Sequence, residues 1–282
     1  MAGKIIDFSY KVISLPLFIS IVCIAPCYPV YADEPQGRQN YLSVGVGWEQ
    51  LSYKEKVPEL SLSSSNTEVT NLVLYVDGVK TLNNYFLGFS GIVPISYGDS
   101  QEDWERLGQF EQSNSLSYRQ TRINVFGGYV LHHLFNPYIG TNWSYSRQKR
   151  SDFQLANTQS IDITVKEEVT SLSLLVGVRG KVPIITNWSF SYFIEYLLPY
   201  YSKIENDSLD GWEASDNDGY AYSLSGQLEY LINEGTSITA QVIGGRQSWD
   251  GSDWEIVGDF RVKWPENETE FIGGYVNFKK YF

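Results

Sequence analysis

The 282-residue chain is poor in the side chains that usually build reactive or metal-binding centres, with two cysteines, two histidines and one methionine. Both cysteines, Cys23 and Cys27, lie in the first 32 residues, so the rest of the chain has no thiol chemistry and no disulfide. No Cys and His cluster has metal-ligand spacing, and no Gly-x-Ser-x-Gly nucleophile motif is found. We therefore expect neither a metal nor a cofactor.

Long apolar runs are also absent, because no stretch after residue 32 approaches 18 consecutive apolar residues. The N-terminus has a different pattern: two lysines, a short apolar run over 13–25 and a Val-Tyr-Ala site at 30–32. This order is typical of an export signal. We predict a signal peptide over 1–32 and a mature domain over 33–282.

Two alternatives to a cleaved signal are a retained anchor and a lipid-modified start at Cys27. The apolar run is short for an anchor, and Pro26 stands where lipidation requires a small residue.

Positive charge is scarce, with 21 Lys and Arg against 33 Asp and Glu and a net charge of −12. Residues 1–32 contain two lysines and one aspartate, so the mature chain has a net charge of −13. This balance argues against a nucleic-acid partner. It fits acidic loops that bind cations or basic peptides, or that are simply solvated.

Two-residue periodicity runs through most of the mature sequence. Leu42, Val44, Val46 and Trp48 alternate with small or polar residues, and Tyr220 begins a similar series. The alternation predicts ten strands, at 40–53, 66–77, 83–95, 116–131, 137–150, 165–182, 187–202, 218–232, 236–249 and 268–282. Eight or twelve strands also fit.

The connections between these strands alternate in length. Short turns are predicted at 77–82, 132–136, 183–186 and 233–235. Long polar loops are predicted at 54–66, 97–115, 151–165, 204–219 and 250–268. Together with the 21 Tyr and 8 Trp, this pattern is typical of an all-β transmembrane antiparallel barrel in a Gram-negative outer membrane. Short turns and both termini would be periplasmic and long loops extracellular.

The C-terminal strand ends on Phe282, which favours a barrel inserted by the barrel-assembly machinery over a soluble β-sandwich. Lys280 departs from the apolar series and is expected to snorkel to the interface. Polar residues on the opposite face, such as Glu195, Arg179, Gln227 and Glu229, are expected to plug the lumen.

Two acidic stretches are candidates for chemistry. One is Gln101-Glu102-Asp103-Trp104, and the other is Ser215-Asp216-Asn217-Asp218-Gly219-Tyr220. His132 and His133 are expected to be turn residues, and the sequons at Asn142 and Asn267 coincidental.

The layout and these two stretches resemble the omptin family of outer-membrane proteases. The resemblance implies a water activated by an Asp–His couple and a facing Asp pair. Asp218 and Asp103 match that pattern, whereas Tyr220 occupies the position of the His and Gln101 that of the second Asp. Glu102 is a substitute carboxylate, although its side chain should project to the other side of an extended segment.

Tyrosine, with an ordinary pKa near 10, is a poor base at neutral pH, so little or no protease activity is expected. The resemblance also implies contact with outer-membrane lipid and lipopolysaccharide, for which Arg147, Lys149 and Arg150 are candidates. The first functional hypothesis is a surface barrel whose acidic loops bind an extracellular peptide or protein, or support the envelope. The alternatives are an endopeptidase that uses Asp103, Asp218 and Glu102, and a narrow channel.

Overall fold

The computed structural model describes residues 40–57, 63–157, 159–207, 212–214, 218–257 and 260–282. The predicted signal peptide at 1–32 and the motif residues 215–217 lie outside these ranges. Within them, no helix is long and apolar enough to cross a membrane.

Every regular element in these ranges is a β-strand. The strands are β1 Tyr41–Val57, β2 Ser63–Leu82, β3 Tyr85–Pro94, β4 Asp99–Arg106, β5 Gln109–Tyr129, β6 Asn136–Leu155, β7 Ser160–Ile161, β8 Val165–Ile185, β9 Trp188–Asn206, β10 Trp212–Ala214, β11 Gly219–Asn233, β12 Thr236–Trp249, β13 Glu255–Val257, β14 Phe260–Val262 and β15 Glu266–Tyr281.

Ten of these strands form a closed antiparallel barrel. Its strands, in order around the wall, are β1, β2, β3, β5, β6, β8, β9, β11, β12 and β15. The barrel closes where β1 pairs with β15, from Tyr41 opposite Tyr281 to Lys56 opposite Glu266. Closure gives every wall strand two neighbours and removes the exposed edges of the sheet. The predicted ten-strand barrel is confirmed.

The third strand of the wall is broken into two pieces. β3 ends at Pro94 and β4 begins at Asp99, and both pieces lie between β2 and β5. β4 then turns back into β5 at Leu107 and Gly108, which both have positive φ (51° and 73°). The predicted long loop at 97–115 is therefore wrong, because its two halves pair with each other as a hairpin.

A buried side chain bridges this break. Asn71 of β2 donates from Nδ2 to the carbonyl oxygen of Tyr118 (3.0 Å), and its Oδ1 accepts the N–H of Gly98 (3.0 Å). Between the end of β3 and the start of β4 the regular pairing with β2 and β5 is interrupted. The two bonds of Asn71 satisfy backbone groups at this interruption. Any side chain at Gly98 would collide with the backbone oxygen of Thr70.

Short turns gather at one end of the barrel, here called the turn end, and the opposite end is the loop end. The first short turn is Asn83-Asn84 rather than 77–82, because β2 continues to Leu82. Asn83 and Asn187 have positive φ (56° and 68°), which suits two-residue hairpins. The loop-end connections are shorter than predicted, since most wall strands extend past the predicted boundaries.

An apolar band surrounds the outside of the barrel near the turn end. On β1 it runs from Leu42 to Trp48, and the outward residues beyond it, Gln50, Ser52 and Lys54, are polar. Exposed aromatic pairs lie at its turn-end edge, including Tyr85 with Tyr129 (5.1 Å) and Trp188 with Tyr230 (5.0 Å). An exposed apolar belt with aromatic edges is suited to hydrocarbon. The wall strands continue well past it toward the loop end.

Candidate functional site

The inside of the barrel is filled with side chains at several levels. At the turn end, the buried carboxylate of Glu229 lies 3.7 Å from Lys279 Nζ and 3.5 Å from Lys181 Nζ, and Ser237 Oγ donates to it (2.6 Å). Lys280 points outward and Lys279 inward, as the alternation predicts. Arg179 donates to Tyr41 Oη across the lumen (3.0 Å).

Apolar layers follow above this network. The first contains buried side chains from five wall strands, namely Phe86, Phe126, Tyr138, Leu175 and Leu197. Two further layers are centred on Tyr75 with Tyr275 (ring centroids 5.3 Å apart) and on Tyr53 with Tyr118 (5.1 Å). Side chains from opposite walls also meet directly inside the barrel, because Gln120 Nε2 of β5 donates to Gln247 Oε1 of β12 (2.8 Å).

A small cavity lies among these layers, with a volume of ≈ 60 Å³. Arg122, which pairs with Glu49 and lies 3.9 Å from the ring centroid of Phe271, forms part of its wall. Glu195 forms another part and accepts hydrogen bonds from Tyr138 Oη and Ser223 Oγ (both 3.0 Å). A cavity of this size has room for a few waters.

Charged residues and tryptophans pack at the loop end. Arg150 of β6 reaches across to β1 and β4, where it contacts Glu55 (2.9 Å) and Glu102 (2.7 Å). A further cluster contains Trp249, the last residue of β12, with Trp212 and Trp264 from the connections at this end. The lumen is plugged, as predicted, by packed layers of side chains and by bridges between facing walls.

Glu102, one of the predicted site residues, points into the lumen and is fully buried. Its carboxylate accepts hydrogen bonds from Arg150 Nε (2.7 Å) and Asn114 Nδ2 (2.8 Å). Burial alone would raise the pKa of Glu102, but Arg150 and the hydrogen bonds outweigh it and lower that pKa. Glu102 is therefore an ionised partner of Arg150 and a poor proton acceptor.

Asp103 lies on the opposite face of β4. Its side chain is exposed, and its Oδ1 accepts a hydrogen bond from Gln101 Nε2 (2.8 Å). The expected opposite projection of Glu102 and Asp103 is confirmed. The two carboxylates do not face a common space.

Tyr220 and Asp218 lie where β11 begins. The Tyr220 ring stacks on Tyr196, with centroids 6.5 Å apart and planes at 11°, on the outer surface of the wall. Asp218 is exposed, and its carbonyl oxygen accepts the N–H of Asp250 (3.1 Å). The residue at the family's histidine position thus belongs to the outer aromatic surface.

The three candidate basic residues of β6 are divided between the two faces of the wall. Arg150 is inward and buried, whereas Arg147 and Lys149 face outward. Cross-strand pairing extends the outward pair with Arg119 of β5 and Lys166 of β8. This basic face, Arg119, Arg147, Lys149 and Lys166, was missed in the sequence although the two-residue alternation of the three strands contains it.

The basic face lies just beyond the apolar band and is only partly neutralised. Arg147 Nε is 3.3 Å from Glu168, and Lys166 Nζ is 3.9 Å from Asp207. The Arg119 guanidinium lies 4.3 Å from the ring centroid of Tyr97. Four cations thus share one outer face of a strongly acidic chain.

The two histidines stack at the turn end, with ring centroids 3.9 Å apart, and His132 Nδ1 accepts the N–H of Leu134 (3.2 Å). Their location in a turn agrees with the prediction. In the described part of the chain, no group of three or more His, Cys, Asp or Glu side chains could hold a metal ion.

The chain matches no protein-family model and no curated protein sequence. It is similar in structure to the outer membrane protease OmpT from Escherichia coli, with a TM-score of 0.63 and 8% identity over 87% of this chain and 97% of that one. A weaker similarity links it to the transport unit of the autotransporter AIDA-I from Escherichia coli, with a TM-score of 0.44 and 10% identity over 89% and 93% of the two chains. At these identities the similarity concerns the fold alone, which is that of outer-membrane β-barrels.

Proposed function

We propose that this protein is a non-proteolytic barrel of the Gram-negative outer membrane that binds cationic peptide or protein segments at its acidic loop end. The observation that carries the proposal is the filled lumen, in which residues from opposite walls meet at successive levels. A filled barrel is a rigid support, so recognition takes place on the surfaces that it raises out of the membrane. Export through the predicted signal peptide belongs to the same proposal.

The charge of the loop end supports a cationic ligand. Asp99, Asp103 and Glu105 are exposed on β4, while Glu102 on the same strand is neutralised inside. Exposed charges of one sign steer oppositely charged partners and raise their rate of association. The exposed carboxylates of β4 are therefore available to an external ligand, whereas Glu102 is held by Arg150 inside the wall.

The outward-facing side chains of β15 support recognition by the predicted partner, the barrel-assembly machinery. Ile272, Val276 and Phe278 are exposed on this strand and Phe282 follows it. Such a series matches the C-terminal strand signal identified in the sequence.

A fluorescent peptide with two adjacent basic residues should bind the purified full chain and remain uncleaved. Exchanging three exposed carboxylates, Asp99→Asn with Asp103→Asn and Glu105→Gln, should weaken binding by about tenfold, since each contributes up to ~0.5 kcal/mol. Anisotropy at 50 and 300 mM salt measures binding, and release of a quenched fluorophore measures cleavage.

The matched control is Glu234→Gln, an exposed carboxylate at the turn end, which should leave binding unchanged. Tyr220→His should produce no cleavage, because that ring lies on the outer surface. Efficient cleavage by the wild type, abolished by Asp218→Ala, would contradict the proposal and support the endopeptidase that uses Asp103, Asp218 and Glu102. Steady single-channel current in planar bilayers would instead support the channel.

We further infer that the basic face contacts lipopolysaccharide phosphates, because it lies where the apolar band gives way to polar wall. The double variant Arg147→Ala with Lys149→Ala should bind lipopolysaccharide roughly thirtyfold more weakly, at about 1 kcal/mol for each charge removed near an anionic surface. Microscale thermophoresis with the detergent-solubilised chain measures this affinity. Lys54→Ala with Lys56→Ala on β1 is the control, and an equal loss there would show that the contact is not local.

A further inference from the structure

Three carboxylates surround one guanidinium at the loop end of the lumen. Arg150 contacts Glu55 through Nη2 (2.9 Å), Glu102 through Nε (2.7 Å) and Glu167 through Nη1 (2.6 Å). All four side chains are at least 87% buried. Tyr53 Oη also donates to Glu55.

This cluster joins strands that are distant in the sequence. Glu55 belongs to β1, Glu102 to β4, Arg150 to β6 and Glu167 to β8. Neutral donors add two more strands, since Asn114 of β5 bonds to Glu102 (2.8 Å) and Asn206 of β9 bonds to Glu167 (3.1 Å). Arg150 is therefore the centre of a contact among six strands.

The cluster contributes more to holding β4 in the wall than to holding the neighbouring strands β2 and β5. It follows the break in the wall, and it pairs with β2 through only three residue pairs, Ser64 to Asn66. Glu102 is the buried side chain by which β4 reaches the lumen. Loss of the contact between Glu102 and Arg150 would leave β4 with its hairpin partner β5 and that short ladder.

The charges of the cluster do not balance when every carboxyl is ionised. The titratable groups that face Glu55 are Tyr53, Glu102, Arg150 and Glu167. The neighbouring Lys54 and Lys56 alternate to the outer face of β1 and do not enter the lumen. One guanidinium with three carboxylates leaves a net charge of −2, whereas a proton on Glu55 reduces it to −1.

Glu55 lies seven residues beyond Trp48, where the apolar band of β1 ends. Burial raises the pKa of Glu55 to about 7, the attraction of Arg150 opposes this rise, and repulsion from Glu102 and Glu167 adds to it. The pKa is higher than the ordinary value of 4.5, so the folded cluster favours the protonated form. Stability from this group is greatest at acidic pH and is lost as the pH rises toward 7.

We propose that the Glu55, Glu102, Arg150 and Glu167 cluster is a proton-operated latch, which holds β4 against the wall when Glu55 is protonated and loosens β4 when Glu55 is ionised. The latch acts on the shape of the loop end and does not depend on which ligand that end binds.

Hydrogen exchange of β4 amides tests the latch in the full chain in detergent micelles. After correction for the intrinsic exchange rate, the wild-type opening equilibrium of residues 99–106 should rise between pH 6 and pH 8.5 by up to about tenfold, the limit that linkage sets for a pKa of about 7 when closed and the ordinary 4.5 when open. Glu55→Gln, which retains the neutral form, should abolish this dependence. Glu105→Gln, an exposed carboxyl on β4, should behave as the wild type.

Heat-modifiable gel mobility verifies that each variant is folded. A flat wild-type profile between pH 5 and 9 would overturn the proposal, and this result does not require any variant to fold. Full retention of the pH dependence in folded Glu55→Gln would overturn it as well. A failure of peptide binding at the loop end would leave the pH dependence of β4 amide exchange unchanged. The two proposals are therefore tested independently.

Discussion

Replacing Arg150 with alanine should destabilise the barrel by about 3–5 kcal/mol at pH 8, because three buried carboxylates then lose their shared cation. The contacts that disappear are those to Glu55, Glu102 and Glu167 at 2.6–2.9 Å. Urea unfolding of the refolded chain in micelles, followed by tryptophan fluorescence, measures the loss. It should shrink on acidification, because the carboxyls without Arg150 take up protons and become neutral.

Lys149→Ala is the control for this substitution, since Lys149 is the adjacent residue and faces outward on the same strand. Its cost should stay within about 0.5 kcal/mol. If Arg150→Ala unfolded at the same urea concentration as Lys149→Ala, the interior cluster would contribute little to stability.

Introducing a charge into the apolar band should be almost as costly. Val276→Arg is expected to destabilise the barrel in phospholipid vesicles by about 2–4 kcal/mol, the cost of an arginine on the lipid face near the bilayer midplane. Val276 is 60% exposed and lies between Val46 of β1 and Ala240 of β12. Its exposure is therefore to hydrocarbon.

The same arginine beyond the band should be tolerated. Ser52→Arg places it outward on β1 above Trp48, with Glu68 and Glu270 as neighbours, and its cost should be within about 0.5 kcal/mol. Equal costs at the two positions would contradict a lipid-facing band.

The strands were predictable because the solvent differs on the two sides of the wall. Hydrocarbon outside, together with inward faces rich in small and polar side chains, imposes an alternation that the sequence displays clearly in β9 and β11. Beyond the band both faces are polar, so the alternation fades although the hydrogen bonds continue. For that reason β1 was predicted to end at residue 53 and in fact reaches Val57.

The break between β3 and β4 had no comparable signal. The residues from Ile95 to Gly98 read as the start of a loop, and only the pairing of β4 with β2 and β5 shows that the wall resumes. The gap is bridged from another strand, since Asn71 bonds to Gly98 and the backbone of Leu72 bonds to Ile95 and Ser96. A contact of this kind is fixed by register, which periodicity within one segment does not reveal.

The charged cluster around Arg150 was only partly predictable from the sequence. Alternation places Arg150 on the opposite face from Lys149, so its assignment with Arg147 and Lys149 to one outer surface was avoidable. Its three partners come from β1, β4 and β8, and their meeting depends on the closed geometry of the barrel. The positions of Glu102 and Asp103 on opposite faces of β4, in contrast, followed directly from an extended backbone.

The length of the wall has a mechanical consequence. β2 contains 20 residues, whereas about 9–11 suffice to cross the hydrocarbon. At about 3.3 Å per residue and a tilt near 45°, the surplus forms a collar that stands about 20 Å above the hydrocarbon boundary. The connections at the loop end are therefore held well clear of the hydrocarbon, where a ligand of the proposed kind would reach them from the aqueous side.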